Sequence, residues 1–197
     1  MKNAEFVLRE ILYQVMEKKN RTMTQSELSK HLKLSLSVVN STVQKMQTIG
    51  AVEVHQRSLH VIDTKKILYY WASIRNIPKD ILYSTRVEQP VKEIEKDASP
   101  TMIFTAYTGY KRIFHDVPAD YSEVYIYGDE TAKKRYPEKK GTKGVPNVYI
   151  LTKDKLMERY GTKTTIANTF VDLWNIKEWY AKEFIQSMEE HINGILE

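Results

Sequence analysis

Residues 24–62 read TQSELSKHLKLSLSVVNSTVQKMQTIGAVEVHQRSLHVI, and the order of signals within this stretch decides the fold of the N-terminal part. Thr24-Gln25-Ser26-Glu27 is a capping box: the Thr24 hydroxyl accepts from a backbone N–H one turn on, and the Glu27 carboxylate reaches back. A short helix carrying Leu28 and Leu32 follows. The turn falls around Lys33 and Leu34, with Ser35 as the next N-cap. The second helix places Leu36, Val39, Val43 and Met46 at i, i+3, i+7 and i+10, one apolar face of a 3.6-residue period. Ile49-Gly50 stops it, because glycine takes the left-handed conformation of a helix end. Val52, Val54, Leu59, Val61 and Ile62 then form two short strands around His55-Gln56-Arg57-Ser58. This order predicts a winged helix-turn-helix over residues 1–62, able to place a helix in a DNA groove with a hairpin beside it. Ala4 to Lys18 supplies a first helix, whose Phe6, Val7, Ile11, Leu12, Val15 and Met16 pack under the other two.

Outward from this stretch the pattern changes. Asp63 reads as the N-cap of a helix through Ile67, Leu68, Trp71, Ile74 and Ile77, limited by Pro78, and residues 63–85 are expected to form a helical connector. Residues 86–197 read as a second, α+β unit for regulation or oligomerisation. It has a short helix from Pro90, a strand at Thr101–Thr105, a helix at Ala106–Phe114 and an alternating strand at Tyr121–Tyr127. Helical turns are expected within Asp129–Tyr136, a loop at Pro137–Pro146, a strand at Asn147–Leu151 and a short helix at Asp154–Tyr160. A terminal helix pair at Ile166–Trp174 and Lys177–Ile195 closes the chain, whose fold class is therefore α+β.

Composition bounds the partners. No run approaches the ~20 apolar residues of a membrane span. The first residues lack the apolar core and cleavage site of a signal peptide, so no membrane association is expected. The absence of cysteine excludes disulfides and thiolate metal sites and fits a cytoplasmic protein. The net charge of +5 is concentrated: residues 1–62 hold +4, and residues 133–143 alone hold +5. Two basic regions favour a polyanion partner, through phosphate neutralisation and counterion release.

The polar face of the second helix carries the candidate DNA contacts Ser37, Asn40, Ser41, Gln44 and Lys45, preceded by Ser35. Asn and Gln pair bidentately with adenine, whereas the Arg that most often reads guanine is missing from this helix. His55, Gln56 and Arg57 at the hairpin tip would touch backbone or minor groove. Lys133, Lys134, Arg135, Lys139, Lys140 and Lys143 form either a solvated surface loop or a second set of phosphate contacts. Tyr121, Tyr125 and Tyr127 share a strand face and could stack on bases, but packing against a helix is the plainer reading. Trp71, Trp174 and Trp179 read as core or interface. His31, His55, His60, His115 and His191 have no metal-ligand spacing, and Asp116, Asp120, Asp129 and Glu130 lack the Gly-Ser phosphate cradle of nucleotidyl transfer. GxxxxGK[ST], GxGxxG and GxSxG are all missing. No enzyme activity, metal or cofactor is expected.

Three segments add a family resemblance: Thr105-Ala106-Tyr107-Thr108-Gly109-Tyr110, Ala119–Tyr127, and Thr164-Thr165-Ile166-Ala167-Asn168-Thr169-Phe170-Val171-Asp172-Leu173-Trp174. With the Thr24–Val52 pattern, the chain resembles archaeal and bacterial winged-helix transcriptional regulators, including the antitoxins of AbiEi-type (type IV toxin–antitoxin) systems. That resemblance implies a C-terminal domain on a non-catalytic, nucleotidyltransferase-like scaffold, autorepression through operator DNA and, in paired systems, a toxin partner. The long Leu68–Pro100 connection departs from the family pattern, and a stand-alone regulator fits as well. The expected function is sequence-specific binding of double-stranded DNA by a homodimeric transcriptional regulator, with repression favoured. The alternative is a protein-interaction module that uses the winged helix as a docking surface.

Overall fold

The computed structural model describes residues 1–138 and 144–197. It is an α+β structure with two small sheets. The first unit runs α1 (Asn3–Met16), β1 (Thr22–Met23), α2 (Gln25–Leu32), α3 (Leu36–Thr48), β2 (Val52–Val54) and β3 (Leu59–Val61). Local chemistry sets each boundary. Glu27 N donates to Thr24 Oγ1 at 3.0 Å while Thr24 N donates to Glu27 Oε2 at 2.9 Å, closing the capping box of α2. Lys33 ends α2 in the left-handed region, and Ser29 Oγ pins the turn by donating to Leu34 O at 2.7 Å. Ser35 Oγ accepts from Val38 N and caps α3. Gly50, at φ +67°, turns the chain into β2. The strands form an antiparallel sheet in the order β1-β3-β2, and His55 N donates to Ser58 O at 2.7 Å across the β2–β3 loop.

The apolar face of α3 differs from the expected one at its start. Val39, Val43 and Met46 are buried, but Leu36 is 50% exposed and Thr42 is buried in its stead, its hydroxyl returned to Val38 O at 3.0 Å. Helical side chains lean towards the N-terminus, so a leucine in the first turn projects beyond the helix end rather than onto α1. Ile62 is likewise 49% exposed, one residue past the end of β3.

The second unit comprises α4 (Thr64–Ile74), β4 (Ile81–Thr85), α5 (Val91–Lys96), β5 (Ile103–Thr105), α6 (Ala106–Phe114), β6 (Val124–Gly128), α7 (Ala132–Arg135), β7 (Val148–Thr152), α8 (Ile166–Trp174) and α9 (Ala181–Leu196). Its sheet has the order β4-β7-β6-β5, with β6 and β7 parallel and the outer pairs antiparallel. Both faces are covered. Tyr125 and Tyr127 of β6 point to the α6, α8 and α9 side, while Val124 and Ile126 join Ile94, Tyr136 and Val148 on the other.

Residues 63–85 are more than the helical connector expected. Asp63 does cap α4, accepting from Lys66 N at 3.0 Å. However, α4 stops at Ile74, a 3-10 turn spans Ile77–Asp80, and β4 forms an edge of the second sheet. The fully buried Trp71 donates Nε1 to Glu5 Oε2 at 3.1 Å, tying α4 to α1. One apolar core runs from Phe6 to Ile192 without a break at residue 62 or 85. Smaller differences follow the same logic. Tyr121 lies before β6, Asp154–Tyr160 yields only a 3-10 turn at Met157–Tyr160, and α9 begins at Ala181 rather than Lys177. Among the described residues no helix is long and apolar enough to cross a membrane.

Candidate nucleic-acid interface

The exposed side of α3 presents Ser37, Asn40, Ser41, Gln44 and Lys45, because the 3.6-residue period that buries Val39, Val43 and Met46 turns these positions outward. The β2–β3 loop, kept short by the His55–Ser58 bond, holds His55, Gln56 and Arg57 exposed beside it. Between them lies an open groove of about 750 Å³, with Gln25, Leu36, Ser37 and Asn40 on its helical wall and Gln56 and Arg57 on its hairpin wall. Asn40 Nδ2 donates to Gln25 Oε1 at 3.1 Å there, leaving its second N–H and Oδ1 available.

The predicted contact residues divide accordingly. Ser37, Asn40, His55, Gln56 and Arg57 line the groove together. Ser41, Gln44 and Lys45 continue the exposed face beyond it, and Ser35 serves as the cap of α3. Lys45 and Arg57 make no ion pair among the described residues, so their charges are uncompensated. Glu53 faces His55 at 3.8 Å. Glu27, at the start of α2, is held below the usual carboxylate range, first by the Thr24 backbone N–H and then by its hydroxyl. Thr24, Gln25, Ser26, Leu36 and Ser58 also line the groove and were not among the contacts expected from the sequence.

The second basic region is different. Lys133 pairs with Glu130 at 2.6 Å, and Arg135 Nε donates to Asp97 O at the end of α5, so two of its cations already have partners within the chain. Lys134 is exposed, and Lys139, Lys140 and Lys143 lie outside the described residues. None of the three on α7 lines the groove. The tyrosine face of β6 is closed to bases: Tyr127 is buried and Tyr125 stacks on Tyr149 at 4.7 Å. His60 bonds Thr22 and His191 stacks on Phe114, and no group of three metal-binding side chains occurs among the described residues. Asp129 is occupied with the Thr131 N–H at 2.9 Å and sits below its ordinary range because of the Thr131 bonds.

A buried polar cluster joins the two units. Asp172, with no exposed surface, accepts from Arg75 Nε at 2.8 Å, Thr105 Oγ1 at 2.7 Å, Tyr127 OH at 2.7 Å and Asn168 Nδ2 at 2.8 Å. Arg75 also reaches Asp80 and the Tyr127 hydroxyl. Burial pulls the Arg75 guanidinium down, but Tyr127, Asp172 and Asp80 outweigh it and hold it protonated; burial, then Asp172, pushes Tyr127 well up. Arg9 forks onto Asp154 at 2.8 and 2.9 Å with its plane over Tyr160. Asp172, Asp80 and Asp154 each pair with an arginine, which is the chemistry of a clamp, although Arg9 Nε is buried without a partner among the described residues. Its signal in the sequence is a charge on each apolar helix face, Arg9 in α1 and Asp172 in α8.

No known protein family, curated protein or solved structure matches this chain.

Proposed function

We propose that the chain is a sequence-specific DNA-binding regulator and that residues 1–62 act as a winged helix whose α3 enters the major groove. The observation that carries this reading is the groove between α3 and the β2–β3 hairpin, walled by amide, hydroxyl and guanidinium side chains. The helix order and the β1-β3-β2 sheet support the winged-helix assignment. In helix-turn-helix readers the first turns of the recognition helix meet base edges, and Leu36, Ser37 and Asn40 occupy those turns. Asn40, pre-set by Gln25, keeps one N–H and Oδ1 for the N7 and N6 edge of adenine. Lys45 and Arg57 would meet phosphates on either side and supply affinity without sequence information. The second sheet, with its clamped carboxylates, is read as a non-catalytic scaffold. The functional class is therefore transcriptional control, with repression favoured and a toxin partner the form it takes if the resemblance to type IV antitoxins holds.

The test is a salt titration of binding to random duplex by fluorescence anisotropy. Affinity is expected to fall steeply with salt, and Arg57→Ala and Lys45→Ala are each expected to reduce the slope of log K against log salt by about 0.9. No binding at low salt, or slopes unchanged in both variants, overturns the reading.

A further inference from the structure

The exposed aromatic surface of the second unit is concentrated where α8 meets α9. Trp174 ends α8 at 45% exposed, and Trp179 precedes α9 at 75%. Both edge an open groove of about 600 Å³ along α9, where Lys182, Ile185, Gln186 and Glu189 lie. These four recur at i, i+3, i+4 and i+7, so they form one stripe roughly 10 Å long on a single helix face. The stripe is positive at its N-terminal end, apolar and amide at its middle, and negative at its C-terminal end. Lys182 makes no ion pair among the described residues, and Glu189 takes a single neutral donor there, the Tyr69 hydroxyl at 2.7 Å.

We propose that this stripe is the interface with a second copy of the chain, with two α9 helices running antiparallel across a two-fold axis. A pattern whose charge reverses end to end is complementary to itself once turned round. With the axis between Ile185 and Gln186, each Lys182 meets the other copy's Glu189, and both pairs form at once. The exposed tryptophans then flank the contact as large rigid anchors, the residue type that dominates such interfaces. For the DNA reading this pairing supplies two reader helices per assembly, but it does not depend on that reading.

Sedimentation velocity of the full chain without DNA tests it. The wild type is expected at twice the 23.1 kDa chain mass. Trp179→Ser weakens association. Lys182→Glu and Glu189→Lys each weaken it about tenfold, because one substitution turns two attractive pairs into two repulsive ones. The double variant Lys182→Glu/Glu189→Lys restores wild-type association, since the swapped stripe is again complementary to itself. Circular dichroism checks the folding of Glu189→Lys, which gives up the Tyr69 bond; Lys182→Glu gives up no described side-chain bond and carries the test by itself where Glu189→Lys is unfolded. A wild type that stays monomeric to the limit of its solubility overturns the proposal. Single reversals without effect, or a double variant as weak as the singles, do so too. With no DNA present, this outcome and that of the salt titration are separate.

Discussion

Leu36 offers the sharpest test of how the groove would read DNA. It sits on the groove wall one turn before Asn40, 50% exposed, where the helix period would have buried it had it lain deeper in α3. Thymine alone presents a methyl group in the major groove. With Asn40 proposed to read adenine, the leucine beside it predicts a preferred thymine at a neighbouring position. Fully burying a leucine side chain is worth about 1.5–3 kcal/mol, so closing its exposed half over a methyl gives about 1 kcal/mol, or roughly fivefold in affinity. The assay starts from the sequence selected out of a random duplex pool. Each thymine is replaced in turn by deoxyuridine, which removes the methyl and keeps every hydrogen-bonding edge, and binding is measured for wild type and Leu36→Ala. At one position the wild type is expected to lose about fivefold while Leu36→Ala loses nothing, closing a protein–DNA double-mutant cycle with about 1 kcal/mol of coupling. Because Leu36 is outside the core, the alanine variant leaves no cavity and its melting temperature should match wild type. Equal losses in both proteins at every thymine would refute the methyl contact and leave the phosphate contacts untouched.

Two further predictions concern stability. Asp172→Ala strands the buried Arg75 guanidinium and three hydroxyl or amide donors, so urea denaturation should show a loss of about 3–5 kcal/mol, much of it recovered by Arg75→Met/Asp172→Leu. A loss below about 1 kcal/mol would contradict the clamp. Glu27, with its folded-state carboxylate below the ordinary 4.5, contributes stability that is present above that value and lost as pH falls through the folded-state value. Glu27→Gln should therefore narrow the gap between melting temperatures at neutral and acid pH, and an unchanged gap would remove Glu27 from the capping box.

What the sequence made legible was local. The capping box at Thr24–Glu27, the Ser35 and Asp63 caps, the apolar period of α1 and that of α3 from Val39 onward are each written within a turn or two, and each forms as read. Ala106–Phe114 and Ile166–Trp174 match to the residue for the same reason. The exposed α3 face followed from the buried one, so Ser37 and Asn40 on the groove's helical wall were visible in advance. Leu36 was not, because a period gives direction around a helix but not the lean of a first-turn side chain past its end. β4 was hidden because Ile81–Thr85 is short and half-buried, and its strand character comes from pairing with β7, far along the chain. The Arg9–Asp154 fork joins residues 145 apart in sequence, a separation that no local pattern records.

The place of α1 explains why the groove and the distant sheet belong to one argument. Its buried residues run around most of its circumference, including Glu5, Arg9 and Glu10 as well as the apolar stripe. A helix with a single partner would leave one polar face in water. Here the apolar stripe packs under α3 while Glu5 holds Trp71, Arg9 holds Asp154 and Glu10 accepts from Tyr160. Arg159 reaches across to His31 O, at the end of α2, from the same 3-10 turn that carries Tyr160. The helix pair bearing Asn40 and Gln25 is thereby braced from below and at its end by side chains of the second unit. These contacts tie the α1–α3 unit to the elements that carry the second sheet. If two copies pair through α9, the separation of their α3 helices is then set by the body of the protein rather than by a linker. On the proposed DNA-binding reading, the spacing of half-sites, and not only their sequence, then becomes part of what the assembly recognises.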